Sequence, residues 1–278
     1  MDAEMGNVLE LRDVKKTYKP GFIPKPKEVL KGVSFSVAEG EIFGQPHLEP
    51  RAKERLGFLP ENPYFYDYLT AWEFLDFYAQ LFRVEKSERA GRIDRLIKTV
   101  DLERAAGLPL RKYSRGMLQR IGLAQALINE PTFVILDEPL GGLDPLGRKE
   151  IRDIILGLRD AGKTVLFTSH ILQDIEMICD HVAIIVKGRI LNQGRLSELV
   201  SEKILFTEIT VSGIAEEDLR SFGDCVSVRD GRALLKVPIE DDVPKVLDLV
   251  RERGGRIYSL VPRTQTLEDI FVDTVAKQ

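Results

Sequence analysis

Phe133-Val-Ile-Leu136 is an apolar run that delivers two adjacent carboxylates, Asp137 and Glu138. A continuous run of this length reads as a strand covered on both faces, the habit of parallel sheets. The chain alternates around it. Helical spacing begins at Gln119 and returns over residues 151–158, with a second buried strand at 165–168 and a third at 182–186. Strands alternating with helices imply a parallel sheet with right-handed crossovers. Such sheets place their ligands at the carboxyl ends of the strands, where Asp137, Glu138 and His170 fall.

The flanking regions follow other patterns. Strands are expected at 8–11, 33–37 and 41–43, with a solvated Pro/Lys-rich loop at 19–27. Thr70-Ala-Trp-Glu73 is a capping box that starts a helix. Phe74, Leu75, Tyr78, Leu81 and Phe82 give that helix a core face, and Ile93, Leu96, Ile97 and Val100 give one to a second helix. After a break at 194–203 the order reads strand 205–211, helix 216–222, strands 226–228 and 234–237 across Asp230-Gly231, helix 243–250 and strand 257–261. That β-α-β-β-α-β order is ferredoxin-like. A last helix starts at the Thr266-Leu-Glu-Asp269 cap. The expected domains are 1–200, with a helical insertion near 70–107, and 204–278.

Composition excludes several classes. With 40 Lys+Arg against 44 Asp+Glu, the 278-residue chain lacks the basic excess of a nucleic-acid binder. Cys179 and Cys225 have no paired spacing, so neither a disulfide framework nor a zinc site is expected. No apolar run approaches the roughly 18 to 20 residues that span a bilayer, and Met-Asp-Ala-Glu-Met does not open a signal peptide. The expectation is a soluble cytoplasmic chain whose membrane role runs through a partner.

Two acids at a strand end suit one carboxylate for Mg²⁺ and another for orienting a water. Upstream, Ser114 is placed to cap a helix start, where free amides favour anions, and Gly116 leaves the backbone open. Downstream come Gly141-Gly-Leu-Asp144-Pro145 and Thr168-Ser-His170.

In that order these motifs resemble the nucleotide-binding subunit of ATP-binding cassette (ABC) transporters, over nearly the whole chain. The resemblance implies a P-loop-NTPase-like α/β fold, with ATP and Mg²⁺ as cofactors. It implies that Asp137 holds the metal, Glu138 is the catalytic carboxylate and His170 the switch histidine. Ser114, Gly116 and Gln119 fall in the signature, Asp144 in the D-loop, and Tyr18 where an aromatic stacks on adenine. Glu61 stands where the family's Q-loop has Gln. The C-terminal segment is similar to that of the bacterial drug- and lipid-exporter branch. The implied partners are transmembrane permease subunits and a second ATP-binding subunit, at the inner face of the cell membrane.

The chain departs from the family at one place. A strand like Gly40-Glu-Ile-Phe-Gly44 should run into the Walker A loop, G-x-x-x-x-G-K-[ST], and its helix. Here Gly44 is followed by Gln45-Pro-His, so about 30 residues of strand-loop-helix-strand are missing. Gly157-Leu-Arg-Asp-Ala-Gly162-Lys163-Thr164 matches the pattern by letter, but helix precedes and strand follows, the reverse of a phosphate cradle. Loss of even four charge-assisted hydrogen bonds forfeits on the order of 6 kcal/mol, about four decades of affinity. Two readings follow: an ABC ATPase subunit with an impaired site, or a non-hydrolysing partner half whose signature serves an intact cassette.

Overall fold

The computed structural model describes residues 7–18, 27–38, 54–200, 204–229 and 231–276. The expected strand at 41–43, most of the 19–27 loop and the Gly44–Gln45 junction lie outside them. The chain divides into two compact units, Met1–Cys179 with Lys187–Ile190 and Asp180–Val186 with Leu191–Gln278.

In the first unit, β1 (Asn7–Tyr18) pairs antiparallel with β2 (Lys27–Ala38). Both strands run longer than their apolar cores at 8–11 and 33–37. β3 (Leu56–Leu59) then leads to α1 (Ala71–Leu81) and α2 (Lys86–Thr99). The capping box at α1 forms as expected: Glu73 N–H donates to Thr70 Oγ1, and Thr70 N–H donates to Glu73 Oε2. The buried face of α1 is Ala71, Phe74, Leu75 and Ala79. Leu81 and Phe82 are exposed instead of joining that core.

α3 (Arg115–Ala126) follows two short 3₁₀ turns, and its Ile121 and Ala124 pack with Phe74, Leu75, Ile93 and Ile97. On its other side Gly122 lies so close to Leu59 that a Cβ would overlap it. That contact seats α3 directly against β3.

Among the described residues, β4 (Phe133–Leu136), α4 (Pro145–Asp160) and β5 (Thr164–Phe167) build a parallel three-stranded sheet in the order β3-β4-β5. As the apolar run required, Phe133, Val134 and Leu136 are buried. Each residue of β5 is only half-buried. α5 (Leu172–Ile178) packs on α4, where its buried Asp174 accepts a 2.7 Å hydrogen bond from Arg152 Nη1.

The strand expected at 182–186 is present. Among the described residues, β6 (His181–Val186) pairs with β7 (Arg189–Arg195) as a two-stranded ribbon. Lys187 and Gly188 between them have φ of 49° and 81°. A two-residue loop with both φ positive is a hairpin turn, and it reverses the chain too soon for a crossover. Only Ile184 of β6 is buried.

In the second unit, α6 (Leu196–Leu199) precedes β8 (Ile204–Ser212), α7 (Glu216–Leu219), β9 (Asp224–Arg229) and β10 (Arg232–Val237). Then come α8 (Val243–Glu252), β11 (Arg256–Thr264) and α9 (Leu267–Ala276). The sheet order is β11-β8-β10-β9, and every neighbouring pair is antiparallel. Ile209, Val211, Leu235 and Val237 on one face bury against Val246 and Val250 of α8. Among the described residues no helix is long and apolar enough to cross a membrane.

Candidate functional site

The parallel register brings three loops to one edge. Leu59, Leu136 and Phe167 are aligned across β3, β4 and β5. The ladder continues one step further, with Asp137 N–H donating to Leu59 O at 2.8 Å and Thr168 N–H to Leu136 O at 3.0 Å. Glu61, Asp137, Glu138 and His170 therefore all follow the carboxyl ends of adjacent strands.

The two acids have different neighbours. Asp137 Oδ1 accepts from Thr168 Oγ1 at 2.6 Å. Glu138 has φ of +48°, a left-handed conformation that a non-glycine residue adopts at a cost of about 1 to 2 kcal/mol. Its N–H donates to Thr168 Oγ1 at 2.9 Å, and its carbonyl accepts from Gly141 N–H at 3.0 Å. This turn aims the half-buried Glu138 side chain at His170, whose Nδ1 lies 2.9 Å from Glu138 Oε2. With Glu138 ionised, the contact places the imidazole proton on Nδ1.

The turn then descends through buried Leu140 and Leu143 to Asp144. Asp144 Oδ1 accepts from Gly147 N–H at 2.7 Å and caps α4, with Pro145 in the first turn. Ser114 does the same for α3, accepting from Met117 N–H at 3.3 Å. Burial raises the pKa of the preceding Tyr113, whose hydroxyl donates to Ala105 O.

The signature residues separate. Ser114 is exposed, Gly116 lies against Leu143, and Gln119 is buried on the inner face of α3 with its Nε2 unpaired. Arg115 lies across Gly142, where a side chain would overlap its guanidinium. The α3 start is thus in van der Waals contact with the loop after Glu138. Tyr18 ends β1, and Glu61 is exposed two residues past β3.

The letter match to Walker A spans the end of α4, a turn at Gly162 with φ of +77°, and the start of β5. Lys163 Nζ is committed to Pro131 O at 2.6 Å. Helix-turn-strand presents no fan of free amides, so this segment does not fit a phosphate. Among the described residues no group of three or more His, Cys, Asp or Glu side chains could hold a metal. Asp137 fits the lesser demand of Mg²⁺, which keeps several waters and takes one or two carboxylates beside substrate phosphates.

The structure is thus a parallel sheet with paired acids after one strand and a histidine after the next. The ABC transporter family model matches residues 33–141. An uncharacterized ABC transporter ATP-binding protein of Synechocystis sp. is 38% identical over 300 aligned positions, covering 96% of this chain and 84% of the relative. The bacitracin transport ATP-binding protein of Bacillus licheniformis is 37% identical, covering 84% and 78%. Among solved structures, the ATP-binding subunit of an ABC transporter superposes with a TM-score of 0.55 at 25% identity, over 68% of this chain and 90% of that one. A dimeric ATP-binding cassette with ADP and phosphate bound shares the fold at a TM-score of 0.58 and 22% identity, over 67% and 98%. The chain belongs to the ABC transporter ATP-binding proteins, a family that uses ATP and Mg²⁺.

Two features of the edge escaped the sequence reading. One is the left-handed backbone of Glu138, for which the sequence gives no sign. The other is Thr168, which aligning the two buried strands would have set beside Asp137.

Proposed function

We propose that this chain is the ATP-binding subunit of an ABC-type exporter whose own nucleotide site is impaired by loss of the Walker A segment. In this reading the chain couples ATP at a dimer interface to transport by partner permease subunits, at the cytoplasmic face of the membrane, with no role for nucleic acid. Asp137 holds Mg²⁺ and Glu138 orients the attacking water. His170 reaches the terminal phosphate, Tyr18 stacks on adenine, and Glu61 occupies the Q-loop position. Ser114, Gly116 and Gln119 form the signature and Asp144 the D-loop. Mg²⁺ held at Asp137 would neutralise phosphate charge. The chain's own share is to hold two acids and an imidazole on a rigid strand edge.

The observation that carries the impairment is the setting of the letter match: Gly157–Thr164 runs helix-turn-strand, with Lys163 bonded to Pro131 O. The alignment agrees with a missing segment. In the Synechocystis comparison, 96% of 278 residues fill about 267 of 300 positions, leaving about 33 without a residue of this chain. The exporter assignment draws support from the relatives named for bacitracin transport and for linearmycin resistance in Bacillus subtilis. The strand order β11-β8-β10-β9 supports a ferredoxin-like accessory domain at 204–278, beside a nucleotide-binding domain at 1–200.

The test inserts a family-like strand-loop-helix segment between Gly44 and Gln45. Insertion should create Mg-ATP binding and phosphate release, and Glu138→Gln in the same chain should abolish release while keeping binding. A chain that gains neither refutes the impairment as the cause. One observation favours the second reading, a partner half serving an intact cassette: Ser114 is exposed at the start of a 12-residue helix.

A further inference from the structure

Thr168 is a hydroxyl that meets both acids at once. It donates to Asp137 Oδ1 at 2.6 Å and accepts from Glu138 N–H at 2.9 Å. A threonine hydroxyl has one proton and two lone pairs, so the donation to Asp137 leaves it only acceptor capacity toward Glu138. We propose that Thr168 is a positioning residue of the nucleotide site, dividing two adjacent carboxylates between separate tasks. This rests on the reading of Asp137 and Glu138 as the site's acids.

The division follows from geometry. Thr168 is fixed by its own backbone, whose N–H extends the β4–β5 ladder to Leu136 O, so its hydroxyl comes from a rigid strand end. Its proton occupies one oxygen of Asp137 and leaves Oδ2 free to face a cation or its waters. Its lone pair anchors the Glu138 amide and so holds that residue at φ of +48°. Left-handed backbone turns the Glu138 side chain away from Asp137 and onto His170. Without the hydroxyl, the extended backbone common to strand ends is the lower-energy choice for a glutamate. The two acids would then fan out as an ordinary exposed pair.

Thr168→Val keeps the shape and deletes both bonds, Thr168→Ser keeps both bonds, and Thr168→Ala deletes them without a branched side chain. The full-length chain is followed by NMR at one pH. Three signals matter: the exchange rate of the Glu138 amide, the carboxyl carbon of Asp137 and the ring nitrogens of His170. In Thr168→Val and Thr168→Ala the Glu138 amide should exchange at least tenfold faster. The Asp137 and His170 signals should move, while the amides of Leu136 and Phe167 stay unchanged. Thr168→Ser should remain within about twofold of the parent. Unchanged signals in the valine and alanine variants, or a serine variant that behaves like them, would overturn the proposal. Added Mn²⁺ and ATP, on chains carrying the inserted segment between Gly44 and Gln45, separate the underlying reading: Asp137 should broaden with Thr168 or Thr168→Ser and not with Thr168→Val. No broadening in the inserted chain that keeps Thr168, with the Glu138 exchange effect intact, would reject the nucleotide-site reading and leave the hydrogen-bond geometry standing.

Discussion

His170 Nδ1 lies 2.9 Å from Glu138 Oε2, yet the imidazole side chain is 73% exposed and the carboxylate side chain 21%. The carboxylate is held by the fold and the imidazole reaches in from solvent. An exposed pair of this kind adds little to stability. His170→Ala should therefore shift the unfolding free energy by less than about 0.5 kcal/mol, measured by urea denaturation. A large loss would mean that the histidine is structural.

Glu138 is different, because its backbone is strained whatever its side chain does. Glycine removes the left-handed penalty but adds its own entropy cost, so Glu138→Gly should be neutral or stabilising by up to about 1 kcal/mol. Glu138→Val puts a branched side chain at φ of +48° and should destabilise by more than about 1 kcal/mol. Urea midpoints of the two variants should move in opposite directions or differ clearly. Equal losses would show that the turn does not hold this conformation in solution.

Asp144 has a cap geometry that accounts for its position without any ligand. Asp144→Ala should cost about 1 kcal/mol by removing the acceptor for Gly147 N–H, and Asp144→Asn should cost much less. Thermal unfolding of both variants checks this. Equal losses would show that charge, and not capping, is what Asp144 contributes.

Between α4 and α5, Asp174 is 2% exposed and bonded to Arg152 at 2.7 Å. Arg152→Met leaves a buried carboxylate without its cation and should cost about 3 kcal/mol. Adding Asp174→Leu should recover most of that loss, because two apolar groups then replace the pair. A double variant no better than the single one would rule out an uncompensated charge as the cause.

The capping boxes give a pH dependence with a definite sign. Hydrogen bonds from Thr70 lower the pKa of Glu73, and those from Thr266 lower that of Asp269. A carboxylate with a folded pKa below its unfolded value stabilises the fold above the unfolded value, and that contribution fades as pH falls through the folded one. Helicity should thus decline below about pH 4, and Glu73→Gln with Asp269→Asn should flatten the decline. Circular dichroism against pH reads it. An unchanged slope in the double variant would remove the caps as the source.

Much of this was legible because periodicity and turn chemistry act locally. The apolar run at Phe133–Leu136 announced a parallel strand, the box at Thr70 and Glu73 a helix start, and Asp230-Gly231 a hairpin. Among the described residues β6 pairs with β7, a partner that an apolar run of strand length does not disclose. The hairpin was set by Lys187-Gly188, a two-residue signal that follows the strand. The shared hydroxyl of Thr168 depends on residues 30 and 31 positions away, a register that forms only when β4 and β5 align. Leu81 and Phe82 fit the helical spacing of a core and are nevertheless exposed.

The most direct measurement is a calorimetric titration of Mg-ATP into the full-length chain, its intact mass verified, alongside phosphate release. Expected are no binding at micromolar ATP and no turnover, since the loss of phosphate-holding bonds is worth about four decades of affinity. Micromolar binding, or turnover that Glu138→Gln abolishes, would contradict this and show that another segment of the chain cradles the phosphates.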